Sequence, residues 1–146
     1  MLKSVKSLVR KAPALKKSQT LAEATRVMVE NGFFGLAVVD ERDKPIGVLT
    51  DGDLLNCFYI NVTNYSYESK AEHTKAHFEE RVKRFGSLPV ADIMTLKPKT
   101  INENDTVEKA VELLKRNRIK RLVAVDDADN YTGLLERLDV ANSVLA

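Results

Sequence analysis

Thr50 and Asp53 stand three residues apart, behind the apolar run Ile46 to Leu49 and ahead of Leu54 and Leu55. A run of that kind meeting a hydroxyl and then a carboxylate reads as a strand entering the first turn of a helix, with Thr50 at the cap. Two oxygen-bearing side chains and several backbone N–H groups converge at such a junction, which suits recognition of a polar ligand. The same pattern also fits a cap that serves only its own helix, and spacing alone leaves both readings open. Eighty-six residues later the chain writes a variant, Gly133-Leu134-Leu135-Glu136-Arg137-Leu138-Asp139-Val140. Here Glu136 takes the place of the hydroxyl and Asp139 that of Asp53.

Other chemistry-bearing groups have plainer explanations. His73 and His77 lie four apart near Glu72, Glu79 and Glu80, a spacing able to chelate a metal. Without a cysteine or a His-Glu-x-x-His order, a solvated helix face accounts for them. Cys57 sits among apolar neighbours with no histidine close in sequence, and reads as core. Tyr59, Tyr65 and Tyr67 with Lys70 and Lys75 could stack on and grip a single nucleic-acid strand, but Glu68, Glu72, Glu79 and Glu80 oppose it. No activated nucleophile or general-base pair emerges, so catalysis is not expected.

The elements that must position Thr50 and Asp53 occur twice. Thr20-Leu21-Ala22-Glu23 is a capping-box pattern, followed by Leu21, Ala24, Val27 and Met28 at helical spacing and a stop near Asn31-Gly32. Leu36 to Asp40 suits a buried strand, Glu41 to Pro45 a turn, Ile46 to Leu49 a second strand, and Asp51 to Tyr59 a helix. Shifted by eighty-six, Thr106, Ala110, Asn117, Leu122, Val125, Asp126, Asp129, Gly133, Leu135 and Asp139 match the first copy without a gap. A long period with two copies predicts paired half-domains rather than a solenoid. Between the copies, Asn61 to Tyr67 reads as a loop. Glu68 to Phe85 reads as an amphipathic helix carrying Ala71, Phe78, Val82 and Phe85 on one face. The expected divisions are 1–60, an insert at 61–87, and 88–146.

Bulk properties bound the partners. The chain has 146 residues, 44% apolar and 30% charged, with 23 Lys+Arg against 21 Asp+Glu. That balance gives no bulk-charge argument for nucleic acid or an anionic membrane. One cysteine excludes an intrachain disulfide and fits a reducing compartment. No apolar run reaches the roughly 18–20 residues that span a bilayer. The basic start, Met1 to Lys11, lacks a signal-peptide core and reads as a packed amphipathic entry helix with Leu2, Val5, Leu8 and Val9 on one face. A cytoplasmic protein is expected.

The lead-in Val90-Ala91-Asp92-Ile93-Met94-Thr95, Thr100-Ile101, the helix, the strand pair ending in Asp126 and the terminal Gly-x-x-(Ser/Thr)-x-x-Asp resemble a CBS domain, and two in tandem resemble a Bateman module. The resemblance implies an α/β fold of two β-α-β-β-α units packed through their sheets with pseudo-two-fold symmetry. It also implies a homodimer without catalytic activity that senses an adenine nucleotide such as AMP, ADP or ATP, or S-adenosylmethionine, between the repeats. An effector protein would read the change, and no cofactor or metal is required. A module that only docks proteins, independent of ligand, is the alternative.

By that resemblance Asp53 is the ribose contact, its carboxylate accepting both hydroxyls of a cis-diol, and Thr50 adds a hydroxyl. Lys120 and Arg121 are the phosphate candidates, and Leu36 and Ile46 the apolar walls. A solvated basic helix end that complements the helix dipole explains Arg116 and Arg118. The second cleft would use Asp139, Thr100 and Arg137. Glu136 and the cation-free segment Asn31-Gly32-Phe33-Phe34-Gly35 make it hostile to phosphate.

Overall fold

The computed structural model describes residues 3–64 and 75–146. The first repeat runs β1 (Leu15–Lys16), α1 (Leu21–Asn31), β2 (Gly35–Val39), β3 (Pro45–Thr50) and α2 (Asp51–Phe58). Next come a π-helical turn, Tyr59–Asn64, and α3, Lys75–Gly86. A short strand β4 (Thr95–Leu96) leads into the second repeat: β5 (Thr100–Asn102), α4 (Val107–Asn117), β6 (Arg121–Val125), β7 (Tyr131–Glu136) and α5 (Arg137–Leu145).

Local chemistry sets the same boundaries in both copies. Thr20 and Thr106 cap α1 and α4, their hydroxyls accepting from the N–H of Glu23 and Lys109. Each cap stabilises its helix by about 1 kcal/mol. Both helices end on a left-handed residue, Gly32 at φ 72° and Arg118 at φ 52°. In the hairpin turns the carboxylates of Asp40 and Asp126 each accept two backbone N–H groups, from Arg42 and Lys44 and from Ala128 and Asn130. The strongest effect on each carboxyl is a backbone hydrogen bond, from Lys44 and Asn130 respectively, and it holds both below the usual carboxylate range.

Two sheets result, ordered β1-β2-β3-β4 and β5-β6-β7. β1/β2 and β5/β6 pair in parallel, β2/β3 and β6/β7 antiparallel. Every residue of β2 is buried, as expected of a strand covered on both faces. Val123 and Leu134 of the second sheet join Leu36, Ala37, Val38 and Leu49 of the first in one core cluster, so the repeats pack through their sheets. A second cluster lies beneath α4 and α5, with Leu122, Leu135 and Val140 at its centre. Each fully buried leucine contributes about 2 kcal/mol. The two hairpins interlock around the pseudo-two-fold axis: the Lys44 ammonium donates to Asn130 at 2.8 Å, and the Tyr131 N–H to the Asp43 carbonyl at 2.9 Å.

The lead-in of each repeat crosses to the other. β4 adds to β3, pairing Thr95 with Val48 and Leu96 with Gly47. Its counterpart bridges Arg10 to Leu134 on β7. The expected N-terminal amphipathic helix is thus a single 3-10 turn, Lys6–Leu8, flanked by a fully buried Val5. Pairing with the other repeat's backbone displaces the helix: Val5 donates to Asp105 and Arg10 to Leu134. Residues 61–64, expected in a loop, continue α2 as the π-helical turn. The insert helix is described from Lys75 onward, with Phe78 and Val82 partly exposed and Phe85 against Phe58 at 5.6 Å. Ala71, His73 and the tyrosines 65 and 67 lie outside the described residues, and with them the chelation reading of His73 and His77. Cys57 is half-buried on α2.

Candidate functional site

Three chain segments enclose a cavity of about 490 Å³. The end of β3 and the first turn of α2 supply Val48 and Thr50 to Asp53. The crossing lead-in supplies Thr95 to Lys99, and the α4–β6 turn supplies Arg118 to Arg121. Thr50 and Asp53 of one repeat therefore face Lys120 and Arg121 of the other, the four residues that sequence reasoning put together.

Thr50 and Asp53 form a full capping box. The Asp53 N–H donates to the Thr50 hydroxyl at 3.1 Å, and the Thr50 N–H to Asp53 Oδ2 at 3.0 Å. The cap reading is correct as far as it goes, yet it leaves Oδ1 of Asp53 and the Thr50 hydroxyl proton for a ligand. The backbone does not help. Asp51 N–H donates to the Phe34 carbonyl at 2.9 Å and Gly52 N–H to the Asp51 carboxylate at 2.8 Å. The N–H groups expected to converge here are spoken for, so an anion in this cavity must be met by side chains.

Those side chains are plentiful. Lys97, Lys99, Arg118 and Lys120 line the cavity, and no ion pair engages any of them among the described residues. Against them stand Asp51 and Asp53. Arg121 is different: its side chain is 8% exposed and its Nε donates to Glu136 at 3.1 Å. Its guanidinium passes over Gly35, where any Cβ would stand 2.7 Å from Nη1. Gly35 is Arg121's own counterpart in the first repeat, so the long side chain occupies space that the copy leaves empty.

Sequence reasoning missed Lys97 and Lys99, which follow the lead-in. The signal lay in extending the repeat upstream, where residues 94–98 align with 9–13, proline on proline at the last step. Arg118, explained from sequence by the helix end, lines the cavity as well. It does so in a left-handed conformation that costs a non-glycine residue about 1–2 kcal/mol, and Lys97 shares that conformation at φ 56°.

Four assignments are corrected. Leu36 is fully buried in the core and Ile46 packs against it, so neither lines the cavity. β2 is covered on both faces, and the apolar walls are instead Val48, Leu96, Pro98 and Ile119. Thr100, assigned with Asp139, opens β5 immediately after Lys99 and is separated from the strand leading to Asp139 by β6. Arg137 lines a mainly apolar groove of about 550 Å³ between α4 and α5, with Val111, Leu114 and Val144.

Asp139 is already engaged. Arg10 Nε donates to Oδ2 at 2.6 Å and Nη2 to Oδ1 at 2.9 Å, a bidentate pair. That hydrogen bond, reinforced by the guanidinium charge, holds the Asp139 carboxyl below the usual carboxylate range. The two clefts thus differ in occupancy as well as charge. Among the described residues, no group of His, Cys, Asp and Glu is arranged to hold a metal, and no helix is long and apolar enough to cross a membrane.

Comparison with known proteins places the fold. The family model for the CBS domain matches residues 5–59 and again 90–146. The protein MJ1404 of Methanocaldococcus jannaschii is 29% identical over 140 residues, 96% of this chain and 28% of that protein. The chain likewise spans 58% of CBSX1, a chloroplast protein of Arabidopsis thaliana. Among solved structures, CBSX2 in complex with AMP superposes with a TM-score of 0.72 at 25% identity, over 97% of this chain and 96% of that one. The CBS pair of MJ0100, in complex with 5′-methylthioadenosine and S-adenosylmethionine, superposes with a TM-score of 0.68 at 19% identity, over 97% and 99%. Two matches of the family model in tandem, on two sheets that pack about a pseudo-two-fold axis, mean that this chain belongs to the CBS domain family.

Proposed function

We propose that the chain is a regulatory module that binds an adenosine nucleotide in the Asp53 cavity and transmits its occupancy through the packing of the two repeats. The observation that carries this reading is one cavity holding a ribose-competent carboxylate from one repeat and, from the other, a set of cations with no ion pair among the described residues. A nucleotide bridging Asp53 to Lys120, Lys99 and Arg118 would tie the repeats together. Its binding energy would thereby favour one arrangement of the sheets, which a partner protein can read. AMP in the related CBSX2 supports the adenosine part of the reading. The choice of a phosphate-bearing ligand rests on the cations, which repel the sulfonium of S-adenosylmethionine and attract phosphate.

Exposed apolar residues favour a second copy as the module's first partner. Val29 (75% exposed), Leu55 and Ile60 on the first repeat, and Leu138 and Leu145 (86%) on the second, stand on or next to the outer helices. Surface of that kind marks an interaction face, and a homodimer would cover it on both repeats at once. In this reading the module is non-catalytic, the divisions are 1–60, 61–87 and 88–146, and the insert helix extends the interaction surface.

Calorimetric titration with AMP, ADP, ATP and S-adenosylmethionine tests the ligand, and light scattering tests the dimer. Micromolar binding of a nucleotide that vanishes in Asp53→Ala is expected. Binding of S-adenosylmethionine alone would reverse the charge argument. No binding at all would leave the ligand-independent docking module.

A further inference from the structure

Arg10 does more at Asp139 than make a surface ion pair. Its guanidinium takes both carboxylate oxygens, at 2.6 and 2.9 Å, the two acceptors that a cis-diol would need. The backbone beneath it is fixed in both directions, Arg10 N–H to the Leu134 carbonyl at 2.8 Å and Leu134 N–H to the Arg10 carbonyl at 2.9 Å. The segment also lies directly on Gly133, where a Cβ would meet the Arg10 carbonyl at 2.3 Å and Val9 at 2.6 Å. Gly133 is at φ 157°, so strand and glycine together form a seat for the arginine.

The first repeat shows what the seat looks like without the cation. There the residue at the same step of the lead-in is Thr95, which pairs with Val48 as Arg10 does with Leu134 and lines the open cavity. The carboxylate of that repeat, Asp53, bonds only its own helix cap among the described residues. One difference between the repeats, threonine in the first cleft against arginine in the second, separates an open carboxylate from an occupied one.

The surroundings of Asp139 also differ in kind. Lys120 is replaced by Phe34, which is 70% exposed. Arg118 is replaced by Gly32, Lys97 by Ala12 and Arg121 by Gly35, while Glu136 adds a second carboxylate. Phosphate has little to bind here, whereas a base can stack on an exposed aromatic ring and an uncharged or cationic nucleoside meets no repulsion.

We propose that Arg10 is an internal ligand of Asp139: it withholds the second cleft from adenosine-class ligands, and its removal opens that cleft to an uncharged or cationic nucleoside rather than to a nucleotide. The choice of adenosine compounds as probes rests on the reading of the Asp53 cavity; the occupancy by Arg10 does not.

The test is a titration of 5′-methylthioadenosine into wild type, Arg10→Leu and Arg10→Gln, each presaturated with AMP. Wild type should give no further binding, and Arg10→Leu one added equivalent, at least about tenfold tighter than wild type. Adding Asp139→Asn to Arg10→Leu should remove it. AMP binding should stay unchanged in both Arg10 variants, because Arg10 is not part of the Asp53 cavity. Arg10→Gln keeps a polar side chain on the lead-in and serves if the leucine variant does not fold. An added equivalent in wild type would overturn the proposal, as would a folded variant that gains none. If AMP fails to bind wild type, the nucleotide reading falls, while gain of 5′-methylthioadenosine binding in the variant would still stand for the lock.

Discussion

Arg10 and Asp139, 129 residues apart in sequence, meet in a bidentate ion pair with a 2.6 Å contact. The pair fastens the start of the chain to the first turn of its last helix. The hydrogen bond and the charge of Arg10 lower the Asp139 carboxyl below its unfolded value. A group lowered on folding adds stability above its unfolded pKa, about 3.9, and that stability fades as pH falls through the folded value. Arg10 is 54% exposed and Asp139 24%, so screening keeps the contribution to about 1 kcal/mol. Urea unfolding should show Asp139→Asn less stable than wild type at pH 7 by about that amount, and the gap should close by pH 2. A gap that persists at pH 2 would mean that the asparagine disturbs packing rather than the ion pair.

Asp53 carries two loads that one substitution can separate. Oδ2 caps α2 through the Thr50 N–H, and Oδ1 is left for ligand. Asp53→Asn keeps a cap acceptor, so thermal unfolding should move little, a loss of about 1 kcal/mol at most. Nucleotide affinity should fall roughly 10- to 100-fold, the weight of charge-assisted bonds to a diol. Thr50→Ala should show the converse balance, with the larger effect on stability. Equal losses of stability and affinity in Asp53→Asn would reduce Asp53 to a cap.

What the sequence shows of this fold, it shows through repetition. Thr20 and Thr106, Asp40 and Asp126, and Leu36 and Leu122 sit in register and perform the same local tasks, so elements and boundaries follow from pattern and cap chemistry. Thr50, Asp53, Lys120 and Arg121 converge because sheets pairing about a two-fold axis set the helix start of one repeat against the α4–β6 turn of the other. Arg10, Lys97 and Lys99 were hidden because the lead-ins cross between repeats, and crossing depends on backbone pairing that no periodicity announces. Leu36 and Ile46 were misplaced for a related reason. An apolar strand residue looks the same in sequence whether it faces a ligand or the other sheet.

Arg118 offers a direct trade of stability against binding. It ends α4 at φ 52°, where the other repeat has Gly32 at φ 72°. Arg118→Gly should relieve left-handed strain and raise stability by about 0.5–1 kcal/mol by urea unfolding, after the glycine's extra unfolded-state entropy is counted. The same variant removes a cavity cation and should weaken AMP binding about three- to tenfold at low salt, less at high salt. A variant that binds AMP as tightly as wild type would place Arg118 outside the ligand's reach, in the role of helix end alone.

Glu136 is the last residue on which the two clefts depend jointly. It lies at the cap of α5 in the position of Thr50, yet makes no capping bond there, and instead accepts from the nearly buried Arg121 at 3.1 Å. Its charge neutralises a cation that would otherwise add to the Asp53 cavity. Glu136→Gln keeps the acceptor and the shape while removing the charge. Stability should fall by about 1–3 kcal/mol, because Arg121 is left with an uncompensated charge away from water. AMP affinity should rise severalfold, since a bound phosphate then supplies the missing anion. The opposite sign is equally informative: a fall in affinity would mean that Glu136 works by holding the Arg121 guanidinium over Gly35, as a positioning residue. Gly35→Ala is the reference for lost positioning, because a Cβ 2.7 Å from Nη1 displaces the guanidinium without touching the charge of Glu136, and the sign of the Glu136→Gln effect beside it decides. If positioning governs, both variants lose affinity. If charge governs, as the geometry argues, only Gly35→Ala does.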